Sequence, residues 1–202
     1  MIKKILSVVI CLMLVMGLAA CGEADPNAIF GKVDGQVYRN DFLGLTCTAP
    51  SGWEYYTEQQ MLELNNMVET YYDDDVREKL SKATIVQDMC VTNPQNGCNI
   101  NLNLEKLSTS LEINVKTVLE AQIDALRSTY ENMGATDITI TSKTITVSGR
   151  EFHALVTTCV LENVNFYVTT FAFQRANYLA NVSITSTFTD QTSTMLSFIT
   201  ID

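Results

Sequence analysis

The stretch Cys98-Asn99-Ile100-Asn101-Leu102-Asn103-Leu104 alternates apolar and polar residues from its first position to its last. Successive side chains of a β-strand point to opposite faces of a sheet, so this alternation predicts a strand with one apolar and one polar face. The preceding segment, residues 83–91, is predicted to be its partner strand. The fold is therefore expected to be organised around a β-sheet.

The connection between these two strands is the turn-forming run Asn93-Pro94-Gln95-Asn96-Gly97, flanked by Cys90 and Cys98. An exported domain with an even number of cysteines, here four after Cys21, is typical of disulfide-containing proteins. A Cys90–Cys98 bridge would stabilise the fold by about 2–3 kcal/mol. It requires a hairpin centred on Pro94, whereas a type I′ turn at Asn96-Gly97 would put Cys98 opposite Gln95 and separate the two thiols. The spacing leaves a disulfide and two buried free thiols as alternatives.

The C-terminal part of the chain contains four segments rich in Thr, Val, Ile and aromatic residues, at 137–147, 151–161, 165–175 and 177–187. Short connections separate them, which indicates hairpins and therefore antiparallel neighbours. A shift of apolar parity within the first segment predicts a bulge or turn near Ser142-Lys143. The third segment has apolar residues on both faces, so we expect helices to cover the sheet on each side.

Helices and further strands complete the predicted elements. Thr57-Glu58-Gln59-Gln60 is a capping box that begins a helix running from about residue 58 towards 80. Asn114 is a natural N-cap for a second long helix that ends at Gly134, and Asp190 begins a short last helix. Short strands are predicted at 29–33, 36–39 and 43–48. One α+β domain with an antiparallel sheet between helical layers fits this order.

The first 21 residues have the organisation of a secretory signal. Lys3 and Lys4 precede an apolar run over residues 5–18, which is shorter than the roughly 20 residues that a transmembrane helix needs. The run ends in Leu18-Ala19-Ala20-Cys21, which resembles the bacterial lipobox. That resemblance implies diacylglycerol and acyl chains on Cys21, which becomes the new N-terminus, and two or more chains give stable anchoring. An ordinary cleaved signal, or a signal anchor with an incidental cysteine, is the alternative.

The chain is thus divided into a signal peptide (1–20), a tether after the lipidated cysteine (21–28) and a single domain (29–202). Removal of residues 1–20 takes away Lys3 and Lys4 but no acidic residue, so the net charge changes from −10 to −12. Such an acidic protein repels phosphate backbones, which argues against nucleic acid as a partner. The remaining length is enough for one hydrophobic core and short for two.

Two stretches, Tyr38-Arg39-Asn40-Asp41-Phe42-Leu43-Gly44-Leu45 and Pro50-Ser51-Gly52-Trp53, resemble the opening of PsbP-like domains. The shared pattern is an aromatic-x-Asn, an apolar-Gly strand and a Pro-x-Gly-Trp before a helix. The resemblance covers most of residues 36–200 and implies an antiparallel sheet flanked by helices on both faces, a three-layer α/β/α sandwich. PsbP is an extrinsic subunit of a membrane complex, and the resemblance assigns no catalytic or binding residue to this chain.

Two groups of residues are candidate binding sites. Asp73, Asp74 and Asp75 offer oxygen ligands to a hard cation, but the Gly-containing spacing of a calcium loop is absent, which favours a solvated acidic helix face. Trp53, Tyr56 and Tyr72 belong to an aromatic group that could line a ligand groove. The alternative for these aromatic residues is packing of a helix against its sheet.

Catalytic residues are not indicated by the sequence. His153 is the only histidine, and it shares strand parity with Cys159, about 20 Å away along the strand. This separation excludes a hydrogen-bonded pair of Cys159 and His153. Cys47 or Cys90 could approach His153 only through the fold, which the sequence does not indicate, and we expect His153 at the surface or at a sheet edge. Gly-x-Ser-x-Gly, Walker, G-x-G-x-x-G and H-E-x-x-H motifs are absent from the sequence, and no metal site is predicted.

The sequence therefore predicts an extracytoplasmic, lipid-anchored module without catalytic activity. Its expected partners are the membrane, through the anchor, and another envelope component, for example a protein. It is expected to need no cofactor beyond the acyl chains on Cys21. A small-molecule or cation-binding lipoprotein is the alternative, followed by an enzyme with an unrecognised cysteine site.

Overall fold

The structure is a computed structural model, and it describes residues 29–65, 85–108 and 110–202. The predicted signal peptide (1–20), Cys21 and the tether (21–28) lie outside these ranges. The same holds for Tyr72, for Asp73, Asp74 and Asp75, and for the continuation of the first helix towards residue 80.

Within the described residues, seven strands form a large antiparallel sheet in the order β4-β5-β6-β10-β9-β8-β7. The strands are β4 (Glu54–Tyr55), β5 (Ile85–Thr92), β6 (Asn99–Lys106), β7 (Thr136–Val147), β8 (Arg150–Leu161), β9 (Val164–Arg175) and β10 (Tyr178–Thr187). The alternating stretch forms β6, and its apolar residues Ile100, Leu102 and Leu104 are buried in the main core. β7 to β10 pair in sequence as three hairpins, which confirms the predicted antiparallel neighbours.

A second antiparallel sheet has four described strands in the order β1-β2-β3-β11. They are β1 (Lys32–Asp34), β2 (Val37–Asn40), β3 (Leu45–Thr48) and β11 (Ile199–Ile201). β11 joins the C-terminal end of the domain to its N-terminal part, because Ile201 pairs with Leu45 and Ile199 with Cys47. Apolar residues of this small sheet, among them Tyr38, Leu45 and Ile201, share one core with β6 and β10 of the large sheet.

The architecture is mixed α+β with mostly antiparallel strands, and the predicted three-layer α/β/α sandwich is wrong. Apolar residues on both faces of β9 did indicate that the large sheet is covered on both sides. However, the small sheet covers one of these faces, where the sequence predicted a helical layer. The pattern of one strand shows that its face is buried, but a sheet and a helix bury apolar side chains equally well.

Two of the helices in the described residues pack on the opposite face, here called the helix side of the large sheet. α1 (Glu58–Leu64) contacts β5, whereas α2 (Val115–Ala121) and α3 (Ile123–Asn132) contact β7 to β9. Leu119 and Leu155 are central to this second core. A short α4 (Thr192–Leu196) follows β10. None of the helices in the described part of the chain is long and apolar enough to cross a membrane.

The predicted helix ends are largely confirmed. Thr57 and Gln60 form the capping box of α1, and Asn114 Oδ1 accepts a hydrogen bond from Thr117 N (3.1 Å) at the start of α2. The long second helix is divided at Gln122, which ends α2 and begins α3. Gly134 follows α3 with a φ of 83°, as a C′ glycine requires.

The bulge that was predicted near Ser142-Lys143 is wrong. The register of β7 against β8 is continuous from residue 139 to 147, and the irregularity lies between Thr136 and Thr139. Ile140 packs under the helices, whereas Ile145 packs against the core between the sheets. The two ends of β7 are thus covered on opposite faces, and this produces the change of apolar parity without a bulge.

Candidate functional site

A β-bulge in β5 places a carboxylate at the edge of the large sheet. Gln87 pairs with Asn103 and Met89 pairs with Leu102, so Asp88 is an extra residue between them. Bulges redirect side chains and are frequent beside functional sites. The Asp88 carboxylate extends to the small sheet and the residues that precede it.

Three donors hold the Asp88 carboxylate: one backbone N–H from the residue before β1 and two side chains of β2. Gly31 N donates to Oδ2 at 3.0 Å, Asn40 Nδ2 donates to the same oxygen at 2.8 Å, and Tyr38 Oη also donates to it. Burial raises the pKa of Tyr38 well above its usual value, and the neighbouring Asp88 charge acts in the same direction. The phenol therefore remains protonated and acts as a donor.

Asn40 is the centre of this network. Its side chain is completely buried, Nδ2 also donates to Ile29 O at 2.9 Å, and Oδ1 accepts from Leu43 N at 2.9 Å. One amide thus connects the chain before β1, the turn after β2 and the bulge of β5. We call Gly31, Tyr38, Asn40 and Asp88 the Asp88 network.

A groove of about 670 Å³ lies between α1 and the β1–β2 hairpin, with the bulge of β5 in its lining. We call it the α1 groove. Its lining includes aromatic residues and several polar or charged ones: Phe30, Tyr38, Tyr55, Tyr56, Lys32, Glu58, Asn65, Gln87 and Asp88. Burial raises the pKa of Tyr56 to about 12, so its hydroxyl stays neutral and can donate or accept a hydrogen bond. The groove combines aromatic surfaces with neutral and charged hydrogen-bonding groups.

Gly31 allows the chain to pass close to the Tyr38 ring at this groove. A Cβ at position 31 would lie 2.3 Å from ring atoms of Tyr38, which is far inside van der Waals contact. Glycine is therefore required for the backbone N–H of residue 31 to reach the carboxylate of Asp88.

The Asn65 side chain pairs with free backbone groups at the outer edge of β5, next to the groove. Its Oδ1 accepts from Gln87 N and its Nδ2 donates to Gln87 O, both at 2.9 Å. A side-chain amide thus takes the place of a neighbouring strand for this residue. The end of α1 is held against the strand in this way, which fixes one wall of the α1 groove.

A second, smaller groove of about 410 Å³ lies on the other half of the domain. We call it the β8 groove, and its lining includes Glu112, Glu151, His153, Ala172 and Gln174. His153 is exposed on β8, in agreement with the predicted surface position. The residues that the structure describes contain no group of three or more His, Cys, Asp or Glu side chains that could hold a metal ion.

Of the two alternatives for Cys90 and Cys98, a disulfide or two buried free thiols, the structure has the free thiols. Cys90 pairs with Asn101 and faces the helix side, whereas Cys98 belongs to the core between the two sheets. The turn shifts the register by placing Cys98 opposite Asn93, whose N–H donates to Cys98 O at 2.8 Å. The two thiols therefore lie on opposite faces of the sheet.

The thiols should be unreactive in the folded protein. Cys47, Cys90, Cys98 and Cys159 are buried, and burial raises the pKa of Cys47 to about 11 and that of Cys90 to about 12. Because the thiolate is the reactive form, we expect native Cys47 and Cys90 to react with an aromatic disulfide reagent at pH 8 at least about 100-fold more slowly than the same residues in the unfolded protein. Thiol titration with and without guanidinium measures the rates, and mass spectrometry of the labelled protein locates the modified residues; rapid labelling of Cys47 or Cys90 in the native protein would contradict the prediction.

Two of the three predicted groove aromatics, Trp53 and Tyr56, lie within the described residues, and they occupy different surroundings. Trp53 lies in the core, where its ring makes an edge contact with Phe198 at a centroid distance of 5.6 Å. Tyr56 lines the α1 groove next to Tyr55. Tyr72 lies outside the described residues, so the proposed Trp53–Tyr56–Tyr72 groove remains a prediction, with Tyr56 placed on a groove wall.

Sequence reasoning missed Asp88 and Gln87. The available signal is an acidic residue inside the otherwise β-type segment Ile85–Val91, because an interior strand seldom tolerates a carboxylate without partners. Asn40 was noted only as part of the PsbP-like pattern. Its role depends on contacts with residues 48 positions away, which no local pattern reveals.

Comparison with known proteins gives weak structural likeness. A crystal structure from Bacteroides thetaiotaomicron VPI-5482 is 9% identical with a TM-score of 0.44 and covers 84% of this chain, which spans about half (49%) of that protein. LpqN of Mycobacterium tuberculosis, described as involved in cell envelope biogenesis, is 10% identical with a TM-score of 0.39 and a coverage of 75% of each chain. No protein-family model matches the sequence, and the search of curated proteins gives no match.

Proposed function

We propose that this protein is a lipid-anchored, extracytoplasmic, non-catalytic module that binds another component of the cell envelope through the α1 groove. The observation that carries the proposal is the groove itself. Aromatic and polar residues line the groove together. The Asp88 network orders one side of it and Asn65 orders the other, so the lining is fixed before a ligand binds. Sites of this kind, largely formed in advance and mixed in polarity, are typical of specific binding.

The sequence supports the proposed location. Leu18-Ala19-Ala20-Cys21 ends an apolar run that follows two lysines, and the net charge of −12 after its removal disfavours direct adsorption to anionic lipid. An acylated Cys21 would then attach the acidic domain to the membrane. The groove-bearing domain would face components on the outer side of the cytoplasmic membrane.

The positions of the nucleophilic groups support a non-catalytic role. Cys47 and Cys98 lie in the core between the sheets, whereas His153 lies exposed on β8. Cys90 is four strands from β8, a distance of about 19 Å at the usual strand spacing. A thiol and an imidazole must be within hydrogen-bonding distance to form a nucleophile–base pair, and these groups are not.

A small-molecule binder is the second candidate, and the size of the α1 groove favours it. The volume of about 670 Å³ falls within the range of roughly 300–1,000 Å³ that is usual for small-ligand sites. In that case the envelope component would be a small molecule, and the same residues would contact it.

Site-specific photo-crosslinking tests the proposal. A photoreactive phenylalanine analogue replaces Tyr56 in the groove, and the matched control carries it at Lys143, which is exposed on β7. On irradiation of intact cells we expect one discrete adduct from position 56 and none from position 143. An adduct with a protein supports the first candidate, and a mass increase of small-molecule size supports the second. The same adduct from both positions, or none from position 56, would contradict both candidates.

A further inference from the structure

The α1 groove has the edge of a β-strand along one side. Among the described strands, β1 is the outermost strand of the small sheet and pairs only with β2. The two-residue turn Gly35-Gln36 makes Asp34 and Val37 the hydrogen-bonded pair that closes the hairpin. Hydrogen-bonded and non-hydrogen-bonded pairs alternate along antiparallel strands. The N–H and C=O of Val33, which is opposite Tyr38, therefore point away from β2.

The contact between Gly31 and Asp88 shows the direction of this edge. Gly31 lies two residues before Val33, so its N–H leaves the strand on the same side. That N–H donates to both carboxylate oxygens of Asp88, at 3.0 and 3.2 Å. The outer side of β1 is thus turned towards β5 and the α1 groove. The N–H and C=O of Val33 lie along this side and have no hydrogen-bond partner in the part of the chain that the structure describes.

The Val33 side chain is an exposed apolar group at the same edge. It is 48% exposed, whereas Tyr38, its cross-strand neighbour on the same face, is 1% exposed. Both residues line the α1 groove. Lys32 and Asp34 alternate with Val33 and so belong to the opposite face of the strand. Edge strands are usually protected by charges or bulges, and an apolar residue leaves this face of the edge open to another strand.

The other side of the groove provides a surface for side chains. Tyr55 and Tyr56 precede α1, and Met61 and Leu62 belong to it; all four line the groove. Side chains of a strand added to β1 would alternate between the two faces of the small sheet. Those on the face of Val33 would be directed to this aromatic and apolar surface. A strand edge beside such a surface is the arrangement that binds extended peptides, because the edge supplies backbone hydrogen bonds and the pocket selects side chains.

The charge of the molecule limits the chemistry of the peptide. Lys32 and Glu58 are the exposed ionic side chains of the groove lining, and neither forms an ion pair within the described residues. Their opposite charges balance at the groove. The whole chain carries a net charge of −10, which repels an acidic peptide.

We propose that the α1 groove binds an extended, non-acidic peptide segment of an envelope protein, which adds to the small sheet as a further strand beside β1. Val33 N–H and C=O pair with the peptide backbone, and an apolar side chain of the peptide packs against Val33, Tyr56 and Met61. The inference rests on the proposed function, since it names the chemical class of the component that the α1 groove binds.

The test uses the full-length protein in detergent and a phage-displayed library of random heptapeptides as the probe. Selection should enrich non-acidic sequences, and calorimetric titration should detect binding of a synthetic peptide with an enriched sequence. Val33→Pro should weaken its affinity by about tenfold or more, because proline removes the donor and its ring occupies the edge. The melting temperature of the free protein should change little, since this N–H has no partner in the sheet and proline is tolerated at such edge positions.

Thr144→Pro is the matched control. β7 is the outermost described strand at the other end of the large sheet. Ser148 and Gly149, both with positive φ, form the two-residue turn that closes the β7–β8 hairpin at Val147. By the same alternation, the N–H of Thr144 points away from β8. This variant introduces proline at an equivalent edge position far from the groove and should bind the peptide with unchanged affinity.

Methylation of successive backbone nitrogens of the peptide gives a readout that does not depend on the folding of a variant. Only alternate N–H groups of an added strand face β1, so the loss of affinity should appear at every second position. No enrichment of a non-acidic peptide, wild-type affinity in Val33→Pro, or equal losses at successive methylated positions would each overturn the inference. If no peptide is enriched while position 56 gives a photoadduct of small-molecule size, the proposed function stands through its second candidate and only this inference fails.

Discussion

Cys21→Ala should abolish both the acylation of the protein and its cleavage before residue 21. Alanine lacks the sulfur to which the diacylglycerol would be joined, so neither the lipid nor the processing that depends on it can follow. The expected result is complete loss of incorporated alkyne-palmitate and a chain that retains residues 1–20. Because anchoring depends on the burial of acyl chains, at about 0.8 kcal/mol for each CH₂, no other feature of the domain is expected to replace them.

Cys11→Ala is the matched control, since it makes the same substitution inside the apolar run. It should be labelled and processed like the unchanged protein. Intact mass measurement of the mature protein should give an N-terminus at Cys21 that carries acyl chains. An unmodified thiol at residue 21, or cleavage that continues unchanged in Cys21→Ala, would show an ordinary secretory signal and remove the basis of the proposed membrane location.

The large sheet follows from local patterns in the sequence. Alternation in residues 98–104 predicts β6 and assigns its apolar residues to the core, where Ile100 and Leu102 are completely buried. The hairpins β7 to β10 follow from β-type segments separated by short connections. These features depend on residues close together in the chain, and strand periodicity and turn chemistry are local properties.

The small sheet depends on contacts that local patterns do not contain. β3 pairs with β11 at the opposite end of the chain, so that Leu45 and Ile201 are neighbours. Each of these strands is three or four residues long, too short for a periodic signal. The sequence could therefore show that the large sheet is buried on both faces but not that a second sheet covers one of them.

The candidate site was only partly predictable for the same reason. The sequence shows that residues 99, 101 and 103 share a polar face, but a polar pattern is normally that of a solvated surface. In the structure these three asparagines are buried, at 1%, 3% and 8% exposure. The carboxylate of Asp88 becomes part of a network only because a bulge turns it towards Tyr38 and Asn40.

Asn40→Ala should lower the free energy of unfolding by about 3 kcal/mol or more. The substitution leaves the N–H of Leu43 and the carbonyl of Ile29 without this partner and removes a donor from Asp88. A buried polar group that loses its partner costs about 1–3 kcal/mol, and a charged one costs more. Urea unfolding measures the change, which should appear as a lower midpoint with an unchanged slope.

Asn132→Ala provides the comparison, because Asn132 is exposed at the end of α3 and its replacement should change the free energy of unfolding by no more than about 0.5 kcal/mol.

The network also predicts that the losses of stability caused by Asn40→Ala and Asp88→Ala are not additive. Since each removes the contact between the Asn40 amide and the Asp88 carboxylate, the double variant should be less destabilised than the sum by about 1 kcal/mol or more. Additive losses would mean that the two side chains act independently, and the bulge would then not be what holds the small sheet against the edge of the large one.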